Sequence, residues 1–154
     1  MADKLSPAER SRLMGRVRSK NTKPEMAVRR MLHALGFRYR LHRRDLPGTP
    51  DIVLTQWRAV VQVNGCFFHG HTCPASALPA TNRDFWQAKI LRNQERDLET
   101  TQALRDEGWR VMTVWECSLK GPRKLSVDAL EQTMAEFIKG DIPAASVSGR
   151  EPTS

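Results

Sequence analysis

Nine residues, GCFFHGHTC at 65–73, hold two of the chain's three cysteines and two of its four histidines, with Phe67 and Phe68 between them. Cys66, His71 and Cys73 fall in C-x4-H-x-C spacing, and Cys117 lies far along the chain. Three sulfurs and one imidazole make a tetrahedral Cys3His set, the closed arrangement of a structural zinc. That assignment requires the strands ending near 64 and 115 to leave a sheet on the same side. The competing reading is three buried thiols with no metal, since free cysteine is among the most buried residue types. His69 either replaces His71 as a ligand or stands free as a titratable group for acid/base chemistry.

A second centre of interest is Asp51. PGTPD delivers it to the start of a strand, and AVVQVNG forms the next one. A Pro-Asp followed by an acidic-x-Lys pair on the neighbouring strand is the layout of metal-dependent nucleases, in which the carboxylate anchors Mg2+. Here the second half is Gln62-x-Asn64, with neither the acid nor the lysine. The plainer reading of a lone P-D is an aspartate ending a turn. Phe67 and Phe68 are adjacent and cannot both face one core from a regular strand. Exposed on a metal-stapled loop, they suit a wedge between base pairs. Trp86, in RDFWQAK, either joins that wedge or packs with Phe85 in the core.

The elements that position these residues follow from caps and periodicity. SPAE at 6–9 opens a first helix reaching about Ser19, and TKPE at 22–25 opens a second, with Val28, Met31, Leu32 and Leu35 on one face before Gly36. Residues 37–42 alternate as a half-buried strand; 51–54 and 59–63 are two more. A long helix from about Thr81 carries Phe85, Ile90, Leu98 and Leu104 to Gly108, residues 109–115 form a strand, and 126–140 a capped helix. Three strands, a crossover helix and a returning strand make a mixed α/β sheet with helices packed on it. The Ala-, Ser- and Pro-rich end reads as a disordered tail.

A chain of 154 residues is expected to form one core-bearing domain. The odd cysteine count argues against a disulfide framework, and no apolar run reaches membrane length, so a cytoplasmic protein is expected. Residues 1–44 hold 13 Lys/Arg against 3 Asp/Glu, and the remainder 12 against 14. A basic arm on a near-neutral body points to a polyanion, or else to a solvated basic face.

In this order, NTKPE, LPGTPDIV, VNGCFFHGHTC, the FW start of the long helix and GWRVMTVWEC resemble the very-short-patch-repair (Vsr-type) DNA mismatch endonucleases over roughly residues 8–140. The resemblance implies a restriction-endonuclease-like (PD-(D/E)xK-type) α/β fold with a structural zinc site. It divides the chain into a basic DNA-contacting arm at 1–20, an endonuclease domain at 21–140 and the tail at 141–154. The implied activity is a Mg2+-dependent nick in double-stranded DNA, 5′ to the thymine of a T:G mismatch left by 5-methylcytosine deamination. Asp51 would anchor Mg2+ together with the backbone carbonyl of Val63. His69 would be the general acid/base and Glu25 an outer carboxylate. Cys66, His71, Cys73 and Cys117 match the zinc ligands, and Phe67, Phe68 and Trp86 the intercalating aromatics.

The best-described members of that family have Thr-His where this chain has Val63-Asn64, and usually Trp where it has Phe68. Asn64 cannot exchange a proton near neutral pH, though it can orient a water. A bacterial, nucleoid-associated monomer is expected, with mismatch-repair or repair-polymerase proteins as partners. The rival readings are a zinc-stabilised DNA-binding module without cleavage and a nuclease for a site without a mismatch.

Overall fold

The structure, a computed structural model, describes residues 21–71 and 77–150. The helix expected at 6–19, the DNA-contacting arm and Cys73 lie outside the described residues.

Thr22 caps helix α1 (Lys23–Ala34), its hydroxyl accepting the Glu25 N–H at 3.3 Å, with Pro24 in the first turn. The chain leaves through Gly36 at φ +85°, a left-handed conformation that glycine takes without a Cβ clash. Strands β1 (Arg40–Leu41), β2 (Ile52–Leu54) and β3 (Ala59–Asn64) form an antiparallel meander. Helix α2 (Arg83–Asp106) crosses over to β4 (Arg110–Trp115), which pairs parallel with β3 from Ala59↔Arg110 to Asn64↔Trp115. Helix α3 (Val127–Lys139), capped by Ser126, then leads to β5 (Ala144–Val147), parallel to β4. The sheet order is β1-β2-β3-β4-β5.

Strand alternation sorts the core into two layers. Ile52, Leu54, Val61, Met112 and Val114 face α1 and α3, meeting Val28, Leu32, Leu130, Met134 and Phe137. Val53, Val60 and Val111 face the other way, meeting Leu104 of α2 and Trp109. The result is the expected mixed α/β sheet flanked by helices. Among the described residues, no helix is long and apolar enough to cross a membrane.

Three expectations are corrected. The strand expected over 37–42 is reduced to Arg40–Leu41, because His42 turns to φ +48° and Phe37 is drawn into the α1/α3 core. On α2, Leu98 and Phe85 are exposed, and the inward stripe is Trp86, Ile90, Asn93 and Leu104. Those positions are separated by four, three and eleven residues, each close to a whole number of helical turns, whereas 85, 90 and 98 do not lie on one helical face. The segment expected as a disordered tail contains β5. The far edge of β4 would otherwise present unpaired backbone groups, and pairing satisfies them irrespective of side-chain composition.

Candidate active site

Strands β3 and β4 run parallel and end together at Asn64 and Trp115, so the segments after them leave the same end of the sheet. Both places where sequence chemistry was concentrated lie here, as two adjacent but separate centres.

The first is a cleft of about 530 Å3 bordered by Glu25, His42, Asp51, Val63, Asn64, Phe68, His69 and Asp97. Asp51, just before β2, is held from both sides by β3. Its Oδ2 accepts the Val63 N–H at 2.8 Å, and its own N–H donates to the Gln62 side-chain oxygen at 3.2 Å. The Gln-x-Asn segment thus acts as a mount for the carboxylate. Burial pushes the Asp51 carboxyl up to about 6; the Val63 hydrogen bond opposes the rise and the nearby Glu25 charge adds to it. A carboxylate so recessed beside a second one is a place where a cation lowers the energy.

His69 enters the cleft from the loop after β3. Its Nδ1 lies 2.6 Å from Asp97 Oδ2, on α2 one turn beyond the buried Asn93. With Nδ1–H donated to that carboxylate, Nε2 carries the lone pair and is the nitrogen left to exchange protons. Asp97 has no motif in the sequence; its only signal is its helical phase, four residues after buried Asn93. Asn93 donates to the Phe68 carbonyl at 2.7 Å and Gln94 to the Gly70 carbonyl at 3.2 Å, so α2 fixes the backbone of the loop. Gly70 sits at φ +64°, and a Cβ there would collide with Ile90 and Gln94. His42 was likewise unmarked in the sequence. Its Nε2 is 2.9 Å from Glu25 Oε2, and Glu25, His42 and Asp51 bring a donor atom each to within 4.8 Å of one another.

The second centre joins Cys66, His71 and Cys117, again with donor atoms within 4.8 Å. Cys117 Sγ and His71 Nδ1 are 3.7 Å apart. Zn–S and Zn–N bonds at a tetrahedral angle put such atoms about 3.6 Å apart, so the donor set fits zinc. Burial holds the His71 imidazole below its usual pKa, favouring the neutral form that coordinates metals. Its Nε2 contacts Ser148 Oγ at 3.1 Å, which turns Nδ1 toward Cys117. The Gly149 N–H donates to Cys117 Sγ at 3.2 Å, and Trp115 stacks on the His71 ring at 4.2 Å. His69, paired with Asp97, takes no part in this group.

Phe67, Phe68 and Trp86 form one aromatic cluster, with centroids 4.9 Å apart for the Phe pair and 5.3 Å from Phe67 to Trp86. The two phenylalanines are half-buried. Trp86 is only 6 % exposed, yet its indole N–H meets no acceptor among the described residues.

Residues 2–75 match the family model described as DNA mismatch endonuclease Vsr. DNA mismatch endonuclease Vsr of Escherichia coli (strain K12) is 38% identical over 147 residues, covering 96% of this chain and 94% of that protein. The chain belongs to the Vsr family of DNA mismatch endonucleases. The type II nicking enzyme V.XorIIP of Xanthomonas oryzae pv. oryzae is 56% identical over 119 residues, covering 77% of this chain and 88% of that protein. Type II nicking enzyme V.NmeAIP of Neisseria meningitidis is 44% identical over 120 residues, covering 78% and 86%. Among solved structures, the catalytic domain of homing endonuclease I-Bth0305I is similar with TM-score 0.49 and 20% identity, covering 76% of this chain and 94% of that one. As a Vsr-family endonuclease the chain acts on DNA, and Asp51, His69, Asp97 and Phe68 border one cleft beside the ends of β3 and β4.

Proposed function

We propose that this enzyme nicks one strand of duplex DNA 5′ to the thymine of a T:G mismatch, the lesion left when 5-methylcytosine deaminates, using Mg2+ at Asp51. The observation that carries this reading is the convergence of Asp51 and the His69–Asp97 pair on one cleft walled by Phe68. Family membership supports the mismatch, and the nicking activity in the names of V.XorIIP and V.NmeAIP supports a single-strand cut.

The cleft's donors suit Mg2+, because they are mainly oxygens around a recessed carboxylate. Asp51 would hold the ion with the Val63 carbonyl beside it and Glu25 outside. When bound, Mg2+ neutralises charge on the scissile phosphate and makes water a better nucleophile. The protein's own residues do the rest. Val63 and Gln62 hold Asp51 in one orientation. Asp97 holds the His69 ring so that Nε2 takes a proton from the attacking water or returns one to the leaving oxygen. Asn64 borders the cleft and orients water without titrating. Phe67 and Phe68 enter the base stack beside the mismatch, and Trp86 braces them from α2. Zinc held by Cys66, His71, Cys117 and Cys73 would staple the loop that carries both the aromatics and His69.

In this reading the enzyme acts as a monomer. It works in the bacterial cytoplasm at the nucleoid, and the nick passes to repair proteins. The test is a labelled duplex with one T:G pair in several methyltransferase-site contexts, beside its T:A and C:G counterparts, with and without Mg2+. A Mg2+-dependent nick confined to the T:G duplex is expected. No nick in any context, or equal cutting of matched duplexes, overturns the reading.

A further inference from the structure

We propose that His42 is a positioning residue of the Asp51 site: it holds the Glu25 carboxylate on the cleft floor in the orientation that the nicking reaction uses. The inference rests on the Mg2+-dependent reading above and assigns a role to a residue outside every recognisable motif.

The backbone places it. The β1–β2 ladder pairs Leu41 with Ile52, and the His42 N–H continues it by donating to the Asp51 carbonyl at 3.1 Å. Residue 42 is therefore tied directly to the segment that carries the central carboxylate. There the chain turns to φ +48°, a left-handed conformation that a residue with a Cβ adopts only when its surroundings hold it. The side chain is 11 % exposed, and its Nε2 meets Glu25 Oε2 at 2.9 Å.

Glu25 needs such a partner. Its side chain is 3 % exposed and lies close to Asp51, so two acids share one recess. Its other ion-pair contact is Arg29 Nη1 at 3.5 Å, too long for a well-directed hydrogen bond. Both contacts fall on Oε2, and Oε1 carries neither. A carboxylate on three rotatable bonds is oriented by its short, directional contact, here the imidazole. Because Glu25 sits in the first turn of α1 and His42 at the end of β1, their contact also ties that helix end to the strand beside Asp51.

The experiment compares His42→Ala, His42→Gln, Glu25→Gln and the His42→Ala/Glu25→Gln double variant in single-turnover nicking of a T:G duplex. Removing a residue that orients a metal-site group costs about 10–100-fold. His42→Ala should lose that much in the saturating single-turnover rate constant with the half-saturating enzyme concentration unchanged, and His42→Gln, which keeps an N–H donor, should recover to within about threefold. The double variant should be no slower than Glu25→Gln, because both changes remove one contact. A second readout needs no cleavage: Mn2+ titrated calorimetrically into zinc-loaded protein should bind His42→Ala at least about fivefold more weakly than wild type or His42→Gln. Unchanged Mn2+ affinity in His42→Ala, or losses in the two single variants that multiply, overturn the proposal. If the wild type nicks nothing, the functional reading falls, and the Mn2+ titration alone then decides His42. Should His42→Ala melt early, His42→Asn takes its place in every comparison.

Discussion

Replacing Asp51 with asparagine should abolish nicking and at the same time stabilise the protein when Mg2+ is absent. The carboxyl is pushed from an ordinary 3.8 up to about 6 by burial and by Glu25, against the pull of the Val63 N–H. A rise of that size corresponds to at most about 3 kcal/mol of penalty for the charged form at neutral pH. Asparagine removes the charge and keeps an oxygen for the Val63 N–H, but its amide hydrogens need partners. A net gain of about 1–2 kcal/mol, or about 3–6 °C in Tm, is expected. The sign with pH follows from the raised value. Below about pH 4 both folded and unfolded forms are protonated and the penalty is nil. Between pH 4 and about 6 the unfolded chain ionises first, so wild-type stability falls relative to Asp51→Asn; above 6 the gap is constant. Thermal melts of both proteins from pH 4.5 to 8, zinc-loaded and without added Mg2+, measure this directly. Adding Mg2+ should raise the wild-type Tm and leave Asp51→Asn unmoved. A variant less stable than wild type at pH 7.5, or a gap independent of pH, would refute the picture of a strained carboxylate awaiting a cation.

Asp97→Asn should lower kcat by about 10–100-fold with DNA affinity retained, because His69 loses the acceptor that fixes its Nδ1–H; stopped-time nicking and gel-shift titration separate the two. Cys117→Ser should lose bound zinc, from about one ion per chain to none by metal analysis, and melt at lower temperature. Gly149→Ala should cost about 1–3 kcal/mol in denaturant titrations and accelerate zinc release to a chromogenic chelator, since a Cβ there would sit 2.6 Å from the Cys117 carbonyl oxygen. Asn93→Ala should slow nicking with the zinc retained, because the Phe68 carbonyl loses its 2.7 Å hydrogen bond and the aromatic loop its anchor on α2.

Much of this protein was decided locally. The caps at Thr22 and Ser126 start their helices in the structure as in the sequence, since a side-chain acceptor and a nearby N–H need no distant partner. The short apolar runs DIVL and AVVQV already marked two strands, and the cysteine and histidine spacing already marked one loop as a metal candidate. The motifs around Asp51 and Cys66 were enough to indicate the Vsr family, which the comparisons then established.

Contacts across long sequence separations were a different matter. His69 meets Asp97 and His42 meets Glu25 across 28 and 17 residues, and neither pair leaves a pattern in the chain. Asn93 and Asp97 drew no notice because periodicity counts apolar positions, and here the buried stripe of α2 includes the polar Asn93, with Asp97 one turn further on. The last strand was invisible for a related reason: AASV forms β5 because β4 offers an open edge, and its continuation, Ser148 and Gly149, meets His71 and Cys117. Residue type and spacing determined which groups were available for chemistry. Only the folded sheet, whose parallel strands end side by side, decided which of them face one another.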